Sequence, residues 1–279
     1  MTATSTLDTA RLVEGLREQT AGLARAVAAG NPEARVPTCP EWPLRTLVGH
    51  VGQEHRWAAE LIRKGEQLPV PDPKEADPGA PEGWAEWLRE GAEDTIRAIE
   101  ETGAETTVQT LFGPRPASFW LRRMLSDTSV HHYDAVRARE AVDSAASAAS
   151  AAEGFEPSAD FAPPVDLEIA DDLAADVIDE NLSLLTTPAF VALEPAVTEL
   201  RGQGERIALR PAALKGWRIT RTPEGPRCER THAKADATVW GPPVPLMLLL
   251  AGRIGPEDDR LTVTGDRALV DHWLTHASL

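Results

Sequence analysis

Apolar positions recur at helical spacing through the first half of the chain and shift to strand-like alternation in the second. Leu12, Leu16, Leu23 and Val27 share one stripe and predict a helix over residues 7–29, ended by Gly30, Asn31 and Pro32. Pro43 suits a first helical turn, and Leu44, Leu47, Val48, Val51, Ala58, Leu61 and Ile62 make the apolar face of a second helix that stops near Gly65. Prolines 69, 71, 73, 78 and 81 with Gly79 predict a loop without regular structure. A third helix is expected over about 82–101, carrying Trp84, Leu88, Ile96 and Ile99, and a fourth over 116–136. Four such helices with loops of mixed length predict a bundle.

The tract 141–164, AVDSAASAASAAEGFEPSADFAPP, has few large apolar residues and reads as a mobile linker or partly helical spacer. It divides the chain into an expected helical domain (1–140), a linker (141–165) and a second domain (166–279). Beyond it, a helix over 167–185 is followed by the β-favouring segments ERIALRP, GWRITRT and ATVWG, separated by Gly and Pro turns. A short apolar helix over 244–252, a strand LTVTG and a closing helix over 266–275 complete an α+β layer domain with a small antiparallel sheet.

Polar residues inside these apolar faces carry the candidate chemistry. Trp120, Met124, Asp127, His131 and Asp134 follow one another at steps of four, three, four and three, so two apolar residues and then three ionisable ones share a helix stripe. Buried ionisable groups need partners, and a divalent metal is one suitable partner for Asp127 with His131. A solvated Asp/His pair or a satisfied core histidine has the same spacing. His50 lies within the apolar face of the second helix, with Glu54 one turn on, whereas His55 is rotated roughly 140° away. His50, Asp127 and His131 together offer three N/O ligands, the count of a catalytic zinc site that keeps one position open.

The motifs TCPEWPLRTLVGHV, HRW, LRRMLSDTSVHHYDA, KADATVWGPPVPLMLLLAGR and LTVTGDRAL, in this order, resemble the mycothiol-dependent maleylpyruvate isomerase family. The resemblance covers nearly the whole chain. It implies a DinB-like helical bundle followed by an α+β domain similar to sterol-carrier-like folds. It also implies a metal held by a histidine of the first motif and a Glu-x-x-x-His pair of the second, which fall on His50, Asp127 and His131. Asp127 replaces the family's usual glutamate and is one methylene shorter.

Composition narrows the partners. With 44 acidic against 28 basic residues and a net charge of −16, the chain is poorly suited to nucleic acid or an anionic membrane. No run is long and apolar enough to span a bilayer, and Asp8, Glu14 and Glu18 interrupt any signal-like start, so a cytoplasmic protein with a small-molecule ligand is expected. Cys39 and Cys228 show no metal-type spacing and read as free thiols.

Two neutral imidazoles and one carboxylate leave Zn²⁺, or another divalent metal, at net +1, which favours a thiolate at the open position. The chain offers no well-placed cysteine, so the thiol is expected from a low-molecular-weight cofactor, which the resemblance implies is mycothiol. The sulfur would attack a small electrophilic substrate, either in cis/trans isomerisation or in S-transfer. Glu54 is the candidate proton-handling group, Asp134 the candidate partner that fixes His131, and Arg221, on the apolar face of GWRITRT, the candidate clamp for a substrate carboxylate. The competing readings are metal-assisted hydrolysis and a metal-free module that binds an apolar small molecule.

Overall fold

The computed structural model describes residues 7–152 and 167–277, which divide into two compact units. One comprises Thr9–Thr110 and Pro114–Glu168; the other is built on Ile169–Leu279 with Leu111–Gly113. No helix among the described residues is long and apolar enough to cross a membrane.

The first unit contains helices α1 (Thr9–Val27), α2 (Leu44–Lys64), α3 (Trp84–Thr102) and α4 (Ser118–Ala152). The apolar stripes read from the sequence are the buried faces: Leu12, Leu16, Leu23, Leu47, Val48, Val51, Leu88, Ile96, Trp120 and Met124 are all buried. Helix α2 ends at Gly65, whose left-handed backbone (φ 66°) lets its N–H cap the Leu61 carbonyl. Helices α1 and α4 approach closely at Gly22, where any Cβ would overlap the His132 ring. Helices α2 and α3 do so at Gly52, where a Cβ would overlap the Trp87 indole. The indole uses the space to donate to the Val48 carbonyl at 3.2 Å.

Several local features were not read from the pattern. The segment between α3 and α4 forms a two-stranded ribbon, β1 (Thr107–Thr110) with β2 (Gly113–Pro116). The proline-rich loop contains two 3₁₀ turns, Pro73–Glu75 and Pro81–Gly83, the first closed by Asp72 accepting from the Lys74 N–H. Helix α4 runs through the first part of the Ala/Ser tract, because alanine favours the helix even without an apolar face. The rest of the expected spacer, 153–165, lies outside the described residues.

The second unit has α5 (Asp171–Leu184), a short α6 (Pro188–Leu193) and a 3₁₀ turn (Pro195–Leu200) ahead of a five-stranded sheet. Its strands are β3 (Arg206–Arg210), β4 (Trp217–Thr222), β5 (Gly225–Arg230), β6 (Ala237–Trp240) and β7 (Thr262–Gly265). Helices α7 (Pro243–Leu250) and α8 (Arg267–His276) flank β7 in sequence. The spatial order β5-β4-β3-β6-β7 corrects the expected antiparallel sheet: it is mixed, because β6 lies parallel to β3, pairing Ile207 with Ala237 and Leu209 with Val239. Strand β5 escaped the sequence reading because GPRCER has no apolar alternation, and as an edge strand it needs little. Ile207, Leu209, Trp217, Ile219 and Val239 are buried on the sheet, and α5 packs on α7, whose Leu246–Leu250 run is buried throughout.

Candidate metal centre

Helices α2 and α4 bring His50, Asp127 and His131 together. One ligand atom from each lies within 4.8 Å of the others. The Nε2 atoms of His50 and His131 each stand 3.8 Å from the same Asp127 oxygen, Oδ2. That separation is too long for a hydrogen bond. It is close to the spacing of donors around one ion, since ligands about 2.0–2.1 Å from a tetrahedral centre are about 3.4 Å apart. The donor set therefore fits a divalent cation, with Asp127 reaching the cluster despite its short side chain.

The three side chains are held in different ways. The other Asp127 oxygen accepts from Arg123 at 3.2 Å, one turn earlier on α4. Burial pushes the Asp127 carboxyl up, but His131, His50 and Arg123 together outweigh it and hold the pKa at about 2. His131 Nδ1 lies 2.8 Å from Asp134 Oδ2, and Asp134 has no exposed surface. This is the partner anticipated from the spacing, and it aims Nε2 toward Asp127. His50 is pushed down to about 4 by burial, against the pull of Asp127, so at neutral pH it is the uncharged imidazole a metal requires. Its Nδ1 is buried without a hydrogen-bond partner among the described residues.

Glu54 follows one turn after His50. Burial first, and then the Asp127 charge, raise its pKa to about 7, the range of a group that exchanges protons near neutrality. His55 points elsewhere, as its rotation implied: its Nε2 meets Thr128 Oγ1 at 2.8 Å, and burial lowers its pKa to about 4.

Two neighbours were missed, and a third, Cys39, was read only as a free thiol. Trp42 places its ring 4.9 Å from that of His50 and 5.7 Å from that of His131. Cys39 donates to Asp134 Oδ2 at 3.5 Å. Arg123 was missed too, although its four-residue step to Asp127 is a helical ion-pair signal. Nothing in local spacing points to Trp42 or Cys39, since both lie in the turn before α2 and meet α4 residues ninety or so positions away in sequence.

Arg221 belongs to the other unit, and its guanidinium is engaged there. It donates to the carbonyls of Glu199 (3.0 Å), Leu200 (3.3 Å) and Arg201 (2.7 Å) and contacts His272. Arg218 pairs with Glu229, while Arg230 grips both Asp179 oxygens and lies over the Trp217 ring. Burial, with Asp179 nearby, pushes the Cys228 thiol up to about 12, so it is protonated and unreactive.

Two solved structures share the architecture. The mycothiol-dependent maleylpyruvate isomerase is 15% identical with a TM-score of 0.54, and a histidine-to-alanine variant of it is 15% identical with a TM-score of 0.56. Each alignment covers 93% of this chain and 95% of the other. No protein of curated function matches the chain. Residues 13–136 match the mycothiol maleylpyruvate isomerase N-terminal domain and residues 134–272 the C-terminal domain of that family. With both domains present over nearly its whole length, the chain belongs to the mycothiol-dependent maleylpyruvate isomerase family.

Proposed function

We propose that this protein is a metal-dependent enzyme that activates a low-molecular-weight thiol, on the family's name mycothiol, against a small electrophilic substrate. The observation that carries this reading is the convergence of two imidazole Nε2 atoms on one carboxylate oxygen, each at 3.8 Å. A divalent cation held there supplies the positive charge that keeps a thiol ionised near neutral pH, where a free thiol with pKa about 8.5 is mostly protonated.

The chain's own residues do the rest. Asp134 fixes the ring and tautomer of His131, and Arg123 occupies the Asp127 oxygen that faces away from the imidazoles. Glu54 sits one turn beyond His50 and serves as the proton carrier as sulfur adds to the substrate and leaves it. Addition to a double bond conjugated with a carbonyl, rotation and loss of the thiol give cis/trans isomerisation; displacement of a leaving group gives S-transfer. Isomerisation is the assignment favoured by the family.

The test is metal analysis of the purified protein, followed by cobalt substitution. We expect about one metal per chain, its loss in His50→Ala, and a change in the cobalt visible spectrum when thiol is added. Absence of metal from protein loaded with Zn²⁺ or Co²⁺ would overturn the reading in favour of a metal-free binder. A cobalt spectrum indifferent to thiol would favour hydrolysis instead.

A further inference from the structure

The two candidate imidazole ligands are held by different means. His131 has a hydrogen-bond partner on its second nitrogen, Asp134. His50 has none among the described residues: its Nδ1 is buried and unpartnered there. Ligating histidines normally use that nitrogen to fix ring plane and tautomer. The His50 ring instead meets aromatic surface. Trp42 packs on it at 4.9 Å with a 58° tilt, and the His131 ring stands edge-on to it at 5.0 Å and 89°. Between these two neighbours, the His50 ring has little freedom to rotate about its side-chain bonds.

Trp42 is itself firmly placed. It ends a tight turn in which the Val36 N–H donates to the Trp42 carbonyl (3.2 Å), Cys39 N–H to Val36 (3.0 Å) and Trp42 N–H to Cys39 (2.8 Å). Arg35 and Pro43 bridge the base of the turn. The same turn sends Cys39 to Asp134, so one short segment reaches the supports of both imidazoles.

We propose that Trp42 is a positioning residue for His50, holding its Nε2 toward Asp127 by aromatic packing where a hydrogen-bond acceptor is lacking. This rests on the reading of the site as a metal centre. Aromatic contacts of this kind are worth a few-fold to about tenfold in an equilibrium constant. The test is a Co²⁺ titration of the full-length protein stripped of metal, reading the dissociation constant and the visible band, with melting of the metal-free protein alongside. Trp42→Phe is expected to keep the wild-type band and bind within about threefold of wild type. Trp42→Ala and Trp42→Leu are expected to bind about tenfold more weakly with an altered band, and Trp42→Leu covers the case in which the alanine variant does not fold. Either variant lowering the melting temperature while leaving affinity and band unchanged would overturn the proposal. Wild type that binds no Co²⁺ would remove the metal centre itself, a failure distinct from wild-type-like binding in Trp42→Leu.

Discussion

Asp127 divides its carboxylate: one oxygen accepts from Arg123 and the other stands 3.8 Å from both imidazole Nε2 atoms. The five-residue stripe of α4 was legible from spacing alone, because a helix repeats regardless of what surrounds it. The consequence for Asp134 is direct: removing its charge loosens His131, and Asp134→Asn is expected to weaken metal binding about 10- to 100-fold, measured by competition with a coloured chelator. Glu54→Gln, by contrast, is expected to retain metal and lose about 10²- to 10⁴-fold in turnover, which separates a proton carrier from a ligand. Equal loss of metal and turnover in Glu54→Gln would reassign Glu54 to the ligand set. Trp42 and Cys39 had no comparable signature, since a residue in a turn has no periodic partner to betray its direction.

At the scale of elements, the bundle depends on places where a side chain is missing, Gly22 and Gly52 among them. Gly22 gives room to His132, whose Nδ1 faces the Gln19 side chain at 2.9 Å, and Gly52 gives room to Trp87. Gly22→Ala must displace a buried ring or separate α1 from α4, and is expected to cost about 1–3 kcal/mol in urea unfolding. Gly83→Ala, where the added Cβ meets nothing within 4 Å, is expected to stay within about 0.5 kcal/mol of wild type. Glycine in a helical pattern signals close approach but does not name the partner helix. Strand β5 and the parallel pairing of β3 with β6 were hidden for a related reason. An edge strand can be mostly charged, and alternation is the same for a parallel neighbour as for an antiparallel one.

For the whole molecule, buried imidazoles tie stability to pH. His55 is fully enclosed, its Nε2 meeting Thr128, and burial takes its pKa from the ordinary 6.5 to about 4. The unfolded chain therefore binds a proton there more readily than the folded one. Its contribution is complete above about pH 6.5 and is lost as pH falls toward 4, up to about 3 kcal/mol in all. Urea midpoints are expected to fall over that window, and His55→Gln to flatten the slope by about one proton; an unchanged slope would show that His55 does not carry it. The sequence by itself determined which faces of the helices turn inward, that His50, Asp127 and His131 lie on those faces, and where helix gives way to strand, because side-chain direction repeats with the backbone's own period. Only the tertiary structure decided that α2 and α4 bring those three side chains within 4.8 Å, that Trp42 lies beside the His50 ring and Cys39 reaches Asp134, and that the sheet is mixed. Distances between elements are set by how whole surfaces interlock, at glycines such as Gly22 and Gly52 as much as at His50, Asp127 and His131, and no local period encodes that fit.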